Sequence, residues 1–229
     1  MNFGDFLTPF KNSSRIIKVT ALFLMVVFLA GQYLQLQTGY ADNGDFRRAN
    51  QLFTDSPVGF SAQPPEFGTP EHKLRYYHYW QPEWNFRPGI PSLYSAFSST
   101  ILLWIPGALL NYFFISDSIL YMVALSIFPR LLAGLCFFGL IIYFSIHKRY
   151  TFFLLVLILL PLVLLLNTSN NAAYFNSFYQ ESGSLVYFLL LLTWFLLRGK
   201  IANTPWVAIG YGLLFLTTIA KASNFYFPF

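Results

Sequence analysis

Carboxylates outside the apolar segments are the residues of this sequence best suited to chemistry. Six of the nine acidic residues lie between positions 42 and 83, and the only one after Asp117 is Glu181. A carboxylate beside a membrane is partly desolvated, which favours its neutral form, whereas a nearby cation or metal keeps it ionised and able to act as a general base. Asp42, Asp45 and Glu181 are therefore the candidate catalytic residues, although an ordinary solvated loop would also collect acids.

Basic side chains follow these acids directly and suit an anionic group. Arg47 and Arg48 can bind a phosphate through charge-assisted hydrogen bonds, or they can be simple charges of the outer surface. A hard divalent ion such as Mg²⁺ or Mn²⁺ prefers oxygen ligands, so Asp42, Asp45 and Glu181 are also the candidate metal ligands. The sequence makes no cofactor certain.

A second polar segment, residues 167–182, is rich in amides and aromatics. Amides pair with sugar hydroxyls as donors and as acceptors, and neighbouring aromatic rings can stack on sugar rings. Asn176 and Tyr179 are the candidate substrate-binding residues of this segment, with ordinary helix capping and turns as the alternative. A further aromatic cluster in residues 76–94 indicates either an interfacial belt or a shelf for carbohydrate or lipid.

The composition of the whole chain indicates a membrane protein, whose apolar segments face lipid. The chain of 229 residues is 56% hydrophobic and 10% charged, whereas a soluble domain is roughly one quarter charged. The net charge of +5 comes from short basic clusters rather than one polar face, which argues against nucleic acid. The single Cys136 excludes an internal disulfide, and no phosphate-binding glycine loop or nucleophile elbow is present.

Apolar runs near bilayer length predict an all-α, polytopic transmembrane bundle of about five spans, which forms a single membrane domain over residues 1–229. The predicted spans are residues 17–37, 125–146, 150–166, 183–197 and 204–220. The first external loop (38–92) and the second external loop (167–182) connect them on the outer side.

Basic clusters that begin at Lys11, His147 and Arg198 set the orientation, with a cytoplasmic N-terminus, because positive charge beside spans marks the cytoplasmic side. Keeping all three clusters inside allows only an odd number of crossings between residues 38 and 147. Residues 92–116 have four serines before Thr100 and are broken by Pro106-Gly107, so we assign them to a helix at the outer interface rather than to a span.

The order of motifs resembles the amino-terminal half of GT-C glycosyltransferases, the broad group that includes protein O-mannosyltransferases and aminoarabinose transferases of lipid A. The resemblance covers roughly residues 15–200 and rests on order and spacing more than on single motifs. Its motifs are Asp42-x-Gly44-x-Phe46, Pro91-x-Leu93-Tyr94, Arg130-Leu131-Leu132, Tyr143 and the turn Lys148-Arg149.

The resemblance implies an enzyme of the plasma (inner) membrane that moves a sugar from a polyprenyl-phosphate carrier to an acceptor glycan, lipid or protein at the outer face. The family's essential carboxylate matches Asp42, and Asp45 replaces the second acid of its usual pair, so either can be the base. Glu181 matches the second acidic position, and Tyr94 contributes to substrate binding. Lys221, external in this topology, can face the carrier phosphate or be a simple interface lysine.

Two alternatives remain. A transporter or a carrier of lipid-linked glycans would place ionisable residues inside its spans, where Arg130 is the nearest example. GT-C proteins usually have more spans than these five, so an inactive fragment, or a truncated chain whose missing half is supplied elsewhere, is the other interpretation.

Overall fold

The computed structural model describes residues 13–40, 52–60, 65–76, 80–88, 98–146, 151–197 and 204–220. Its helices are α1 (Arg15–Leu34), α2 (Pro70–Tyr76), α3 (Thr100–Phe114), α4 (Met122–Ile146), α5 (Thr151–Leu154), α6 (Leu160–Leu166), α7 (Ser169–Phe175), α8 (Glu181–Leu197) and α9 (Thr204–Ala220). A π-helical turn, Leu155–Leu159, joins α5 to α6. Three short strands complete the fold: β1 (Thr54–Pro57), β2 (Glu83–Phe86) and β3 (Ile119–Tyr121).

Each of the five predicted spans contains helical residues in the structure. Among the described residues, two helices, Arg15–Leu34 and Met122–Phe144, are long and apolar enough to cross a membrane. A third span results if Leu155–Leu166 and Ser169–Phe175, which meet at a bend of 62°, count as one segment. The apolar helices α3, α8 and α9 are shorter, with 15, 17 and 17 residues. Two or three spans are thus supported by length.

The bundle is held together by an apolar core that α1, α4, α6 and α8 share. On α1 the buried residues Ala21, Leu24, Phe28 and Gln32 recur every three or four positions, so they form one stripe along the helix. Phe28 stacks on Phe137 of α4 with ring centroids 5.3 Å apart. Many of the other side chains of α1 are apolar and exposed, as expected for a helix at the edge of a bundle in lipid.

A small antiparallel sheet, with the order β1-β2-β3, corrects the all-α prediction. Its strands have only three or four residues, too few for their alternating pattern to stand out in a sequence. On β2, Trp84 and Phe86 are buried while Glu83 and Asn85 are only partly so. These two aromatics of the 76–94 segment therefore belong to a core and not to an exposed belt or shelf.

Helix α3 contacts strand β3, the beginning of α8 and the end of α9. Its start is fixed by Ser98, whose hydroxyl donates to the carbonyl oxygen of Ala220 at 2.6 Å, and by Thr100, whose hydroxyl donates to that of Gln180 at 3.1 Å. Gly107 packs against the backbone of Leu125 in α4 with no room for a side chain. The helical part of the predicted interfacial segment 92–116 is thus residues 100–114, and residues 92–97 lie outside the described part of the chain.

Candidate functional site

The two predicted external loops meet at the end of α1. The Asn176 side chain is fully buried, and its Nδ2 donates to the carbonyl oxygens of Gln35, Leu36 and Thr38 at 3.1, 2.8 and 2.7 Å. The backbone N–H of Tyr40 donates to Ser177 Oγ at 2.7 Å. These bonds bind residues 35–40, which leave α1, to the segment between α7 and α8.

Trp80 closes the same junction from the first external loop. Its Nε1 donates to the carbonyl oxygen of Asn176 at 2.8 Å. Its indole lies against Gly39, where a Cβ atom would collide with the ring. A glycine is needed at this position because the indole occupies the space of any side chain.

Three tyrosines form a cluster at the junction, beside Glu181. The Tyr40 ring lies 4.8 Å from that of Tyr174 and 5.7 Å from that of Tyr179, and the last two are 6.1 Å apart. The Tyr40 and Tyr174 side chains are hydrogen-bonded, and the Glu181 carboxylate is close enough to influence Tyr40 electrostatically. We call Tyr40, Tyr174, Tyr179 and Glu181 the tyrosine cluster.

Burial raises the pKa of Tyr40 above its ordinary value of 10.0, and the neighbouring Tyr174 and Glu181 raise it further. The cause is that a negative phenolate is disfavoured both by lost hydration and by a carboxylate nearby. Tyr40 is therefore protonated at neutral pH and can donate a hydrogen bond. Glu181 is the first residue of α8 and lies at the positive end of the helix dipole.

Arg130 lies directly behind this junction, buried in α4. Its Nη1 donates to Gln32 Oε1 at 2.6 Å and to the Gln32 carbonyl oxygen at 3.2 Å. Its Nη2 donates to the carbonyl oxygens of Gln35 and Ala172 at 3.4 and 3.3 Å, and its Nε donates to Ser126 Oγ at 3.3 Å. The guanidinium also lies 5.2 Å from the centre of the Phe175 ring. These bonds join α1, α4 and α7.

A second set of amide bonds extends this junction into the bundle. Gln32 Nε2 donates to the carbonyl oxygen of Leu166 at 3.0 Å and to Asn167 Oδ1 at 2.9 Å. Asn167 Nδ2 donates to the carbonyl oxygen of Val27 at 2.9 Å. The Asn167 side chain occupies the space beside Gly31, so residue 31 must lack a side chain for α6 to approach α1.

The structure brings together three of the nine residues predicted for the site. Tyr179 and Glu181 belong to the tyrosine cluster, and Asn176 lies beneath it with its amide N–H groups used by backbone carbonyls. Its Oδ1 is buried and makes no hydrogen bond in the described part of the chain. The other six predicted residues lie outside the described residues: Asp42, Asp45, Arg47, Arg48, Tyr94 and Lys221.

Metal binding remains a prediction. Within the described ranges, no group of three or more His, Cys, Asp or Glu side chains could hold a metal ion. Of the three predicted ligands, only Glu181 lies in those ranges. The oxygen donors expected for a divalent ion would come from Glu181 together with Asp42 and Asp45.

Sequence reasoning did not select Tyr40, Trp80, Arg130 or Ser177 as site residues. A lone arginine in an apolar run is a recognisable signal, because a charge within a span is costly and is retained for a reason. Tyr40 and Ser177 carry no such signal, since their pairing joins positions 137 residues apart. Only the folded arrangement brings them into contact.

Comparison with known proteins places these features in a membrane family. No curated protein and no solved structure matches the chain. One family model, described as the YfdI N-terminal transmembrane domain, matches residues 6–221. That match includes every described helix and the whole outer junction. The chain therefore belongs to the YfdI N-terminal transmembrane domain family of membrane proteins.

Proposed function

We propose that the chain is a membrane glycosyltransferase of GT-C type. It moves a sugar from a polyprenyl-phosphate carrier to an acceptor hydroxyl at the outer face of the plasma membrane. The observation that carries this proposal is the tyrosine cluster, which joins the two predicted external loops. Tyr40 lies two positions before Asp42 in the sequence and contacts the aromatic rings beside Glu181.

The proposed topology has five crossings with the N-terminus inside. In this arrangement α3 lies at the outer interface, and α1, α4, α5–α6, α8 and α9 cross. The tyrosine cluster then lies at the outer side, where a carrier lipid presents its phosphate and sugar. Support comes from the contacts at the start of α3, which join it to the end of α9 and the beginning of α8.

The proposed reaction is a direct displacement with inversion at the sugar. Asp42 or Asp45 accepts the proton of the acceptor hydroxyl, which then attacks the anomeric carbon as the bond to the carrier phosphate breaks. Basic side chains stabilise the departing phosphate, with Arg47, Arg48 and Lys221 as the proposed donors. Tyr40 can donate a hydrogen bond because it stays protonated at neutral pH.

Asn176 and Tyr94 are proposed to support substrate binding rather than to take part in the reaction. Because the Asn176 amide N–H groups already bond three carbonyl oxygens, its proposed contribution is to shape the site, and Tyr179 offers a ring surface to the sugar. Tyr94 is proposed to contact the substrate. A divalent ion held by Asp42, Asp45 and Glu181 would add charge stabilisation, and added chelator would then reduce transfer.

A transporter or glycan carrier is the second candidate, and the buried Arg130 is the observation that favours it. Ionisable residues within spans often mark transport pathways. The hydrogen bonds of Arg130 weigh against this role. The guanidinium has five N–H groups, and it makes five hydrogen bonds to oxygen atoms of the protein. A passing substrate would have to displace these bonds, which hold α4 to α1 and α7.

The decisive experiment replaces the proposed carboxylates one at a time. Asp42→Asn, Asp45→Asn and Glu181→Gln proteins in lipid nanodiscs would be supplied with polyprenyl phosphates that carry a labelled hexose or pentose. We expect at least one variant to lose roughly 100-fold or more of the transfer rate, because general-base catalysis contributes about that much. Membrane insertion should be unchanged.

Glu71→Gln is the matched control, since Glu71 is an exposed carboxylate in the first turn of α2. It should transfer sugar at the wild-type rate. Full activity in all three site variants would show that the proposed carboxylates are not the catalytic groups. Equal loss in the control would point to a general effect of charge on the outer surface.

A further inference from the structure

Arg130 is a buried charge whose described hydrogen-bond acceptors are all uncharged oxygens. Burying a charge in a span costs free energy, and an apolar residue of similar volume often stabilises a protein at least as well. Stability alone is therefore a weak reason for an arginine at this position. A stronger reason is that this side chain joins α4 to α1 and α7.

We infer that Arg130 is a positioning residue for the outer site. It fixes the exit of α1 against α7, and so sets where Tyr40 lies relative to Glu181. The effect of Arg130 on catalysis rests on the proposed function. Its effect on the position of Tyr40 can be tested without measuring any activity.

A shared acceptor links Arg130 to the tyrosine cluster. The carbonyl oxygen of Gln35 accepts from Arg130 Nη2 at 3.4 Å and from Asn176 Nδ2 at 3.1 Å. The guanidinium holds this carbonyl from the α4 side, and the amide holds it from the α7 side. Tyr40 follows five residues later, with its own N–H bonded to Ser177. The path from residue 35 to residue 40 is thus fixed at both ends.

The shape of the guanidinium matters as much as its charge. Its planar fork reaches Gln32 on α1, Gln35 at the end of α1 and Ala172 on α7 at once. A lysine carries the same charge on a compact ammonium with three donors, so it cannot span the same acceptors. Arg130→Lys therefore separates geometry from charge, and Arg130→Gln removes both.

The geometric test is a disulfide between residues 40 and 177. Tyr40→Cys and Ser177→Cys would be combined in a Cys136→Ala background, in the full-length chain in nanodiscs, and oxidised. The matched control is the pair Ser98→Cys and Ala220→Cys, where Ser98 Oγ donates to the carbonyl oxygen of Ala220 on α9, which is not among the acceptors of Arg130. We expect Arg130→Lys and Arg130→Gln to lose the 40–177 disulfide and to keep the 98–220 disulfide.

The kinetic test uses Arg130→Lys in the otherwise native chain. Misplacement of a catalytic group by about 1 Å can cost on the order of 100-fold in rate. We expect kcat for sugar transfer to fall by roughly 10- to 100-fold while KM for the lipid-linked donor stays unchanged, because the donor's own contacts are not removed.

Each result decides the inference. Retention of the 40–177 disulfide in both variants overturns it, and so does parallel loss of both disulfides, which would indicate general unfolding. Wild-type turnover in Arg130→Lys shows that charge suffices and overturns the geometric claim. If wild-type protein transfers no sugar at all, the proposed function fails, while the disulfide result still decides whether Arg130 positions the exit of α1.

Discussion

At the scale of single residues, buried polar side chains hold the junction at the end of α1. Asn176 and Arg130 are both buried, and each bonds backbone carbonyls of the segment that leaves α1. Tyr40 and Glu181 are the groups that remain partly accessible above them. The division is physically reasonable, because a site exposed to water needs buried polar partners to hold its geometry.

Tyr40 should ionise later than an ordinary tyrosine. Its pKa is raised by burial, by Tyr174 and by Glu181, so the protonated phenol is the form that the fold favours. The contribution of the protonated Tyr40 to the stability of the folded protein is complete below pH 10, and it is lost as the pH rises through the raised pKa. In ¹³C-tyrosine NMR, the signal that disappears in Tyr40→Phe should titrate with a midpoint above 10.

The Glu181→Gln variant provides the control for this titration. Removing the carboxylate removes one of the causes, so the Tyr40 midpoint should move down towards its ordinary value. A midpoint at or below 10 in the wild-type protein would contradict the described cluster. An unchanged midpoint in Glu181→Gln would show that the Glu181 carboxylate does not influence the pKa of Tyr40.

Sequence reasoning selected some residues of this junction for identifiable reasons. Glu181 stood out because it is the only acid after Asp117, and the amides of residues 167–182 stood out by their density. The role of Asn176 could not be inferred, since its three acceptors lie about 140 residues earlier in the chain. Composition identifies which residues are unusual, whereas contacts decide whether they face a substrate or support a loop.

At the scale of elements, close packing of helices depends on glycine at defined positions. Gly183, in the first turn of α8, lies against the Thr100 side chain at the start of α3. Gly107 meets the backbone of α4 in the same manner. These contacts bring α3, α4 and α8 together. They lie close to the tyrosine cluster, because Glu181 is only two residues before Gly183.

Gly183→Ala should destabilise the protein, because the added methyl group would overlap Thr100. We expect a loss of about 1–3 kcal/mol, the usual cost of inserting a methyl group into a packed contact. Gly212→Ala in α9 is the matched control, since a Cβ atom there meets nothing within 4 Å. Replacing a helical glycine with alanine without a clash should stabilise by up to about 1 kcal/mol.

Thermal unfolding of the two purified variants in the same detergent would measure this difference. Opposite shifts of the midpoint are the expected result. A Gly183→Ala protein as stable as the wild type would show that α8 and α3 do not pack as described. A large loss in Gly212→Ala would mean that α9 is covered at that position by something else.

Elements were predictable from sequence where the signal was local. The apolar run 204–220 coincides with α9, and run 125–146 begins three residues after the first residue of α4. The sheet was missed because its strands pair across distance: β1 pairs with β2 about 30 residues later and β2 with β3 about 35 residues later. Periodicity detects a helix, but a three-residue strand depends on its partners.

At the scale of the whole molecule, the apolar surface is divided between two cores and the lipid. One core lies within the bundle, and the second combines β2, β3 and α3 around Trp84 and Trp104. Phe178, from the segment before α8, packs edge-to-face on both tryptophans. The second predicted external loop is thus attached to the sheet as well as to the end of α1.

The proposed topology makes a prediction about sidedness. Single cysteines at Glu66 and Lys148, in a Cys136→Ser background, would be treated in intact cells with a membrane-impermeant maleimide. The first external loop contains Glu66, so Glu66→Cys should react at once, and Lys148→Cys should react only after the membrane is opened. The reverse pattern, or equal reaction of both, would contradict the proposed orientation.

The way α1 ends has a consequence for how the chain is made. The carbonyl group of Gln35, the residue that follows α1, is bonded by side chains that lie 95 and 141 residues later in the sequence. Synthesis proceeds from the N-terminus, so the ribosome releases α1 into the membrane long before Arg130 and Asn176 exist. Until then water must satisfy this carbonyl, and this end of the first helix stays hydrated. The junction at the end of α1 is consequently a late product of biogenesis, completed only when the chain has been made past α7.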